Sequence, residues 1–145
     1  MNIETKYFGE MSVEEEKIIS FKKGLPGFQD EKAFVLFDFP DNPVFQILQS
    51  TVTPVVAFVV TSPYHFYKEY VFDLDEQTKE ELVITKPEQV NVLSILTLRD
   101  PFADSTINLQ APLIINTDSL HGQQIILSDE FSSRTLLQGE KARLK

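Results

Sequence analysis

Residues 33–61 read AFVLFDFPDNPVFQILQSTVTPVVAFVVT, three apolar runs separated by short breaks of proline, aspartate, asparagine and threonine. Each run is short and rich in Val, Ile and Phe, which suits strands, and each break carries turn chemistry. The first run, AFVLFD (33–38), is apolar through Phe37, and the second, VFQILQS (44–50), alternates over FQILQS. The third, PVVAFVVT (54–61), is apolar on both faces through VVAFVV (55–60), so it is expected to be a central strand. Three short strand-like runs in close succession point to an all-β fold.

The pattern extends in both directions. NIETKYF (2–8) and KIISF (17–21) precede these runs, and YVFDL (70–74), VNVLSILTL (90–98), PLIIN (112–116) and QQIIL (123–127) follow them. Strands spaced by roughly 8–12 residues favour a barrel or a sandwich. The expected fold is therefore all-β, a barrel or a sandwich. DEQTKEELVI (75–84) breaks the pattern. It is polar and rich in helix formers, with Asp75 placed to cap its start and Pro87 beyond its end, so one short helix is expected there. The β-domain is expected to span 1–131, with 132–145 a C-terminal tail that is a marginal helix or disordered.

FKKGLPGFQD (21–30) poses a separate question. Gly24, Pro26 and Gly27 serve a turn, but Leu25 and Phe28 are large apolar residues that a turn does not need. Either they plug the domain's own core or one of them lines a partner groove. Phe45, Ile47 and Gln49 raise the same question, because an alternating strand sends some of its residues outward.

With 145 residues the chain suits one domain, which buries roughly 68–70% of its unfolded surface. It has no Cys, so disulfides, thiolate chemistry and zinc–cysteine sites are excluded. The start, MNIETKYFGEMSVEEEK, has neither a basic nor an apolar region, and no signal peptide is expected. The longest apolar run, 54–67, is broken by prolines and falls short of the ~20 residues of a membrane helix. A soluble cytoplasmic protein is expected.

Twenty-two acidic residues against 13 basic give a net charge of −9, and three of the bases lie in the last five residues, KARLK. Nucleic-acid affinity comes largely from Lys and Arg neutralising phosphates, so the body should repel RNA and DNA. Catalytic material is sparse. Neither His65 nor His121 falls in a catalytic motif, and HExxH, GxSxG, the P-loop and GxGxxG are absent. DLDEQTKEELVI (73–84) opens like a calcium loop but has Thr78 at the glycine position and Ile84 at the bidentate glutamate position. The residues alone describe an acidic β-domain that binds something. The competing reading is a small-ligand-binding or enzymatic β-barrel built on Tyr64, His65, Tyr67 and Asp104.

FKKGLPGF (21–28), FQILQSTVTPVVAFVV (45–60), YVFDLDEQ (70–77), VNVLSILTLRD (90–100), INLQAPLIIN (107–116) and GQQIIL (122–127) together resemble the FliW family of flagellar assembly factors, in order along most of the chain. The resemblance implies a compact antiparallel β-barrel-like fold and a monomeric cytoplasmic regulator without catalysis or cofactor. It implies that flagellin and CsrA, an RNA-binding translational repressor, are alternate partners: the free protein draws CsrA from the flagellin message. CsrA must be basic where it grips RNA, so acidic side chains would steer association. Glu14, Glu15, Glu16, Asp41, Asp73 and Asp75 are the acidic candidates for that interface. Leu25, Phe28, Phe45, Ile47 and Gln49 are the candidates for an apolar groove holding an amphipathic flagellin segment. Asn108 and Asn116, the two ends of NLQAPLIIN (108–116), bracket a strand and are expected to cap turns.

Overall fold

A computed structural model describes residues 1–128 and 130–137. It opens with a hairpin of β1 (Asn2–Thr5) and β2 (Gly9–Ser12), in which Ile3 faces Met11. A 3-10 turn at Glu15–Lys17 leads to the two-residue strand β3 (Ile19–Ser20). A meander follows as β4 (Ala33–Asp38), β5 (Phe45–Ser50) and β6 (Ala57–Thr61). Leu48 pairs with Leu36 on one side and Phe58 on the other, so β5 is paired along both flanks.

After β6 the chain passes a 3-10 turn at Pro63–His65 and reaches the helix α1 (Glu76–Glu81). Asp75 is its N-cap: the Thr78 N–H donates to the Asp75 carboxylate at 2.8 Å. The helix ends in a Schellman motif, with Val83 N–H donating to Glu80 at 3.2 Å and Ile84 N–H to Lys79 at 2.8 Å. The remaining elements are β7 (Val90–Thr97), β8 (Thr106–Ile107), β9 (Leu113–Asn116), β10 (Gly122–Gln124) and β11 (Thr135–Leu136).

The main sheet runs β10-β9-β7-β6-β5-β4-β3, all antiparallel, with β8 on β7 and β11 on β8. β6 lies between β5 and β7, the central place its two apolar faces call for. β7 is the hub: Val90–Leu93 pair with β9, Ser94 and Ile95 with β6, Leu96 and Thr97 with β8. The sheet curls until β3 meets β10 at one parallel bridge, Ser20 with His121, where Ser20 N–H donates to the Leu120 carbonyl at 2.8 Å. The architecture is therefore a curled antiparallel sheet with one short helix, and not a closed barrel.

Alternation along the strands creates two apolar faces. Phe34, Leu48, Val60, Leu93, Leu113 and Ile115 point inward and form the principal core with Ile19, Phe21 and Leu25. Filling it with side chains such as Leu48 contributes about 1.5–3 kcal/mol apiece. The opposite face is covered along most of its length. Val35 and Phe37 pack beneath the N-terminal hairpin against Ile3, Val13 and Ile18. Phe45, Val59 and Leu96 pack beneath Phe66, Tyr70, Leu109 and Leu137.

The 21–30 loop answers the question its sequence poses. Leu25 is 2% exposed and belongs to the core, whereas Phe28 is 40% exposed and packs edge-on against Phe58 at 5.5 Å. The turn between them is closed by two hydrogen bonds, Phe28 N–H to Leu25 at 2.7 Å and the reverse at 3.2 Å. Gly24 has φ +65°, and a Cβ there would lie 2.5 Å from the Gln29 carbonyl oxygen. Only glycine fits.

Several expectations need correction. NIETKYF holds strand geometry only to Thr5, because the chain turns back at 6–8 to form β2. YVFDL has no strand ladder; its rings are buried sideways instead. The β-structure does not stop at 131: Thr135–Leu136 form β11 and Leu137 is 1% exposed. Residues 132–137 thus belong to the folded body, and the expected tail beyond them lies outside the described residues.

Candidate protein-docking surface

The segment 62–74 crosses the sheet without a backbone ladder and is held by its side chains. Tyr70 is 5% exposed, and its hydroxyl donates to the Leu109 carbonyl at 2.6 Å. The Tyr67 hydroxyl donates to the Leu136 carbonyl, which ties the segment to β11. The Tyr70 ring contacts Tyr64 at 5.8 Å, Phe72 at 5.3 Å and Phe131 at 5.3 Å. Such ring pairs contribute about 0.5–1.5 kcal/mol beyond their area. The result is an aromatic ridge standing on the outer face of β5, β6 and β7.

Burial pushes the Tyr70 phenol well above its ordinary range, with Tyr64 alongside adding to the effect, and burial also raises Tyr64. An unperturbed tyrosine titrates near 10. Both phenols therefore stay protonated at neutral pH, and the ridge is an apolar surface with polar tips, not a base.

Open grooves flank this ridge. One, of about 520 Å³, is walled by Tyr64, Phe72, Leu74, Ile84, Val90 and Val92, with Asp73, Lys79 and Lys86 as its charged lining. The other, also about 520 Å³, is walled by Phe66, Tyr67, Tyr70, Leu109 and Phe131, with Lys68 and Glu69 beside them. Their volumes fall in the range of small-molecule sites, but both are broadly open to solvent and mostly apolar. That shape suits a segment of another chain. A third space, about 30 Å³, lies against Lys22, Lys23, Glu81 and His121, and it has room for little more than a water molecule.

The residues expected at a partner surface divide sharply. Leu25, Ile47 and Gln49 do not face a partner: they are 2%, 0% and 0% exposed. Ile47 lies on the outward face of β5, but that face is roofed. Gln49 is buried with its amide satisfied, accepting from Lys6 N–H at 3.0 Å and donating to the carbonyls of Ser50, Pro54 and Val56. Phe45 is half-buried against Phe66 and Phe102. Phe28 alone of the five is exposed.

Glu14, Glu15, Glu16, Asp41, Asp73 and Asp75 are all exposed, but on separate segments. Asp73 lines the first groove. Asp75 is occupied as the α1 cap, and its hydrogen bonds from Thr78 hold its carboxyl below the usual carboxylate range. The four polar residues of the competing reading do not share a pocket: Tyr64 belongs to one groove, Tyr67 to the other, and His65 and Asp104 are exposed. Among the described residues no group of three His, Asp or Glu could hold a metal ion, and no helix is long and apolar enough to cross a membrane. Both asparagines serve turns. Asn108 accepts from Gln110 and Ala111 N–H groups, and Asn116 accepts from Asp118 and Ser119.

The groove walls from Ile84 to Val92 escape sequence reading. Ile84 looks like the last apolar residue of a helix and Val92 like one face of a strand. Only the crossing of 62–74 over β7 turns them into one surface.

The sequence model of a family described as "FliW protein" matches residues 2–137. Among relatives, the "Flagellar assembly factor FliW" of Oceanobacillus iheyensis is 47% identical over 139 residues, covering 95% of each chain. That of Bacillus subtilis (strain 168) is 43% identical over 141 residues, covering 97% of this chain and 99% of its own. A solved structure, "Crystal structure of the flagellar assembly factor FliW", superposes with a TM-score of 0.91 at 42% identity, covering 97% of this chain and 99% of that one.

Proposed function

Because the chain belongs to the FliW family of flagellar assembly factors, we propose that it binds flagellin in the cytoplasm and, when free, binds and antagonises the translational repressor CsrA. The observation that carries this reading is the pair of open apolar grooves beside the Tyr64–Tyr70–Phe72 ridge. Flagellin before assembly has amphipathic segments whose apolar faces lack partners, and an apolar groove is the usual seat for such a face. Both grooves are open to solvent and lined mainly by apolar side chains, as the seat of an apolar face requires.

CsrA is the complementary partner in charge. An acidic body with a net charge of −9 raises the rate at which a basic RNA-binding protein is met. At physiological salt the screening length is about 8 Å, so only carboxylates beside the interface oppose the RNA directly. The same charge disfavours direct binding of nucleic acid by this chain. The role is one of binding exchange, with no reaction catalysed.

Titration of purified flagellin into a preformed complex with CsrA tests the alternation. Release of CsrA is expected as flagellin saturates. A stable ternary complex at saturating concentrations of both partners would contradict it.

A further inference from the structure

The ladder of β7 has a gap beside the first groove. In an antiparallel strand the N–H and C=O of one residue point to one flank, and those of the next residue to the other. Thr117 N–H donates to the Gln89 carbonyl at 2.8 Å and Asn108 N–H to the Ile95 carbonyl at 2.9 Å, both from the flank of β9 and β8. Val90, Val92 and Ser94 therefore turn their backbone groups to the opposite flank, where Ser94 meets Thr61 of β6. The same register would set Pro63 opposite Val92. Proline has no N–H, the Pro63 carbonyl already accepts from Phe66 at 3.1 Å and Tyr67 at 2.8 Å, and β6 ends at Thr61. Among the described residues no hydrogen bond reaches the Val92 N–H, the Val92 carbonyl or the Val90 carbonyl.

An unpaired edge is a template for another strand, and the groove beside it has a strand's period. Val90 and Val92 line it from β7, and Phe72 and Leu74 from the crossing segment, each pair two residues apart. Along 71–74 Val71 and Asp73 are exposed and Phe72 and Leu74 half-buried, and among the described residues the backbone there makes no hydrogen bond. A lining that repeats every two residues matches an extended peptide, not a helix, whose side chains repeat at 3.6. At the rim Lys79 is paired with Glu76 at 3.3 Å, whereas Lys86 has no ion pair among the described residues. An occupant thus meets an open backbone edge, apolar walls at strand spacing and one unclaimed cation.

We propose that the first groove is a strand-addition site. An extended segment of unassembled flagellin, apolar at alternate positions and bearing a carboxylate near Lys86, continues the ladder on the open edge of β7 at Val90 and Val92. This assignment rests on the flagellin-binding reading above.

The test uses the purified, nitrogen-15-labelled chain and monomeric flagellin. The Val92 amide is expected to exchange with solvent without hydrogen-bond protection in the free chain, and to slow by about tenfold or more in the complex. Equal exchange in both overturns the assignment. Val92→Pro removes this donor, keeps apolar bulk and breaks no hydrogen bond of the free chain, and an open edge admits proline. It is expected to lower flagellin affinity by about tenfold, and by more than Val92→Ala, which keeps the amide but less side chain. The reverse order overturns the assignment, because side-chain contact alone would then carry binding. Should thermal unfolding show that Val92→Pro does not fold, the exchange measurement decides. Lys86→Glu is expected to weaken binding about threefold, and unchanged affinity there overturns the carboxylate contact. A wild-type chain that binds no flagellin overturns the functional reading itself, and this assignment with it.

Discussion

The side-chain oxygen of Gln49 accepts the backbone N–H of Lys6 at 3.0 Å, joining segments 43 residues apart. The same side chain donates to three carbonyls of the β5–β6 turn, so one amide fastens the N-terminal hairpin to the meander. Gln49→Leu keeps the bulk but leaves these groups without their partner. It is expected to destabilise the fold by about 2–4 kcal/mol, read as a lower midpoint in urea. Flagellin affinity, measured where the variant remains folded, should not change.

Glu31 reaches across to the same turn. Its carboxylate accepts from the Ser50 hydroxyl at 2.5 Å and the Thr53 hydroxyl at 2.6 Å, which hold its pKa below the usual carboxylate value of 4.5. A depressed folded pKa gives stability that is present above the unfolded value and disappears as pH falls through the folded one. The tie should therefore be intact at pH 6 and weaken progressively below about pH 4.5. Glu31→Gln should flatten this part of the profile, measured as the Tm difference from wild type between pH 6 and pH 3.

Two tyrosines of the ridge should separate binding from stability. Tyr64 is 39% exposed on the groove, whereas Tyr70 is buried with its hydroxyl on the Leu109 carbonyl. Tyr64→Ala is expected to weaken flagellin binding about tenfold, the range of an interface aromatic, and to cost about 1–3 kcal/mol of stability through the lost contact with Tyr70. Tyr70→Phe should cost about 1–2 kcal/mol with affinity retained, so only the first variant moves binding. Calorimetric titration and thermal unfolding of both variants check this.

The run Glu14–Glu16 is exposed around a 3-10 turn. Reversing all three charges to lysine is expected to slow association with CsrA and reduce its dependence on salt. Stopped-flow association at several ionic strengths measures both. An unchanged rate would remove these residues from the interface.

These three strands were legible because their signal is local. AFVLFD matches β4 residue for residue, VFQILQS starts one residue ahead of β5, and the third run proved central, although its strand begins only at Ala57 and leaves Val55 exposed in the turn. Asp75 was legible as a cap because capping is decided within four residues. The fate of Ile47 and Gln49 was not. Alternation says which side of a strand a residue takes, but not what covers that side, and here the cover comes from residues 1–18 and 62–74. YVFDL misled because Tyr70 and Phe72 carry strand-like composition into a segment that anchors by rings and a hydroxyl. β3, β8 and β11 are each two residues long, too short to show a period. The grooves follow from that crossing segment, and so were equally hidden.

The meeting of Ser20 with His121 bears on how the protein behaves in a crowded cell. A sheet normally leaves two rims of unpaired amides, and long flat rims invite other chains to add strands and aggregate. Here the terminal strands of the curled sheet, β3 and β10, are two and three residues long and lean on each other. Self-templating through those rims is thereby discouraged, and no disulfide is involved, since the chain has no Cys. The aromatic ridge can thus stay on display while these two rims remain closed to neighbouring chains.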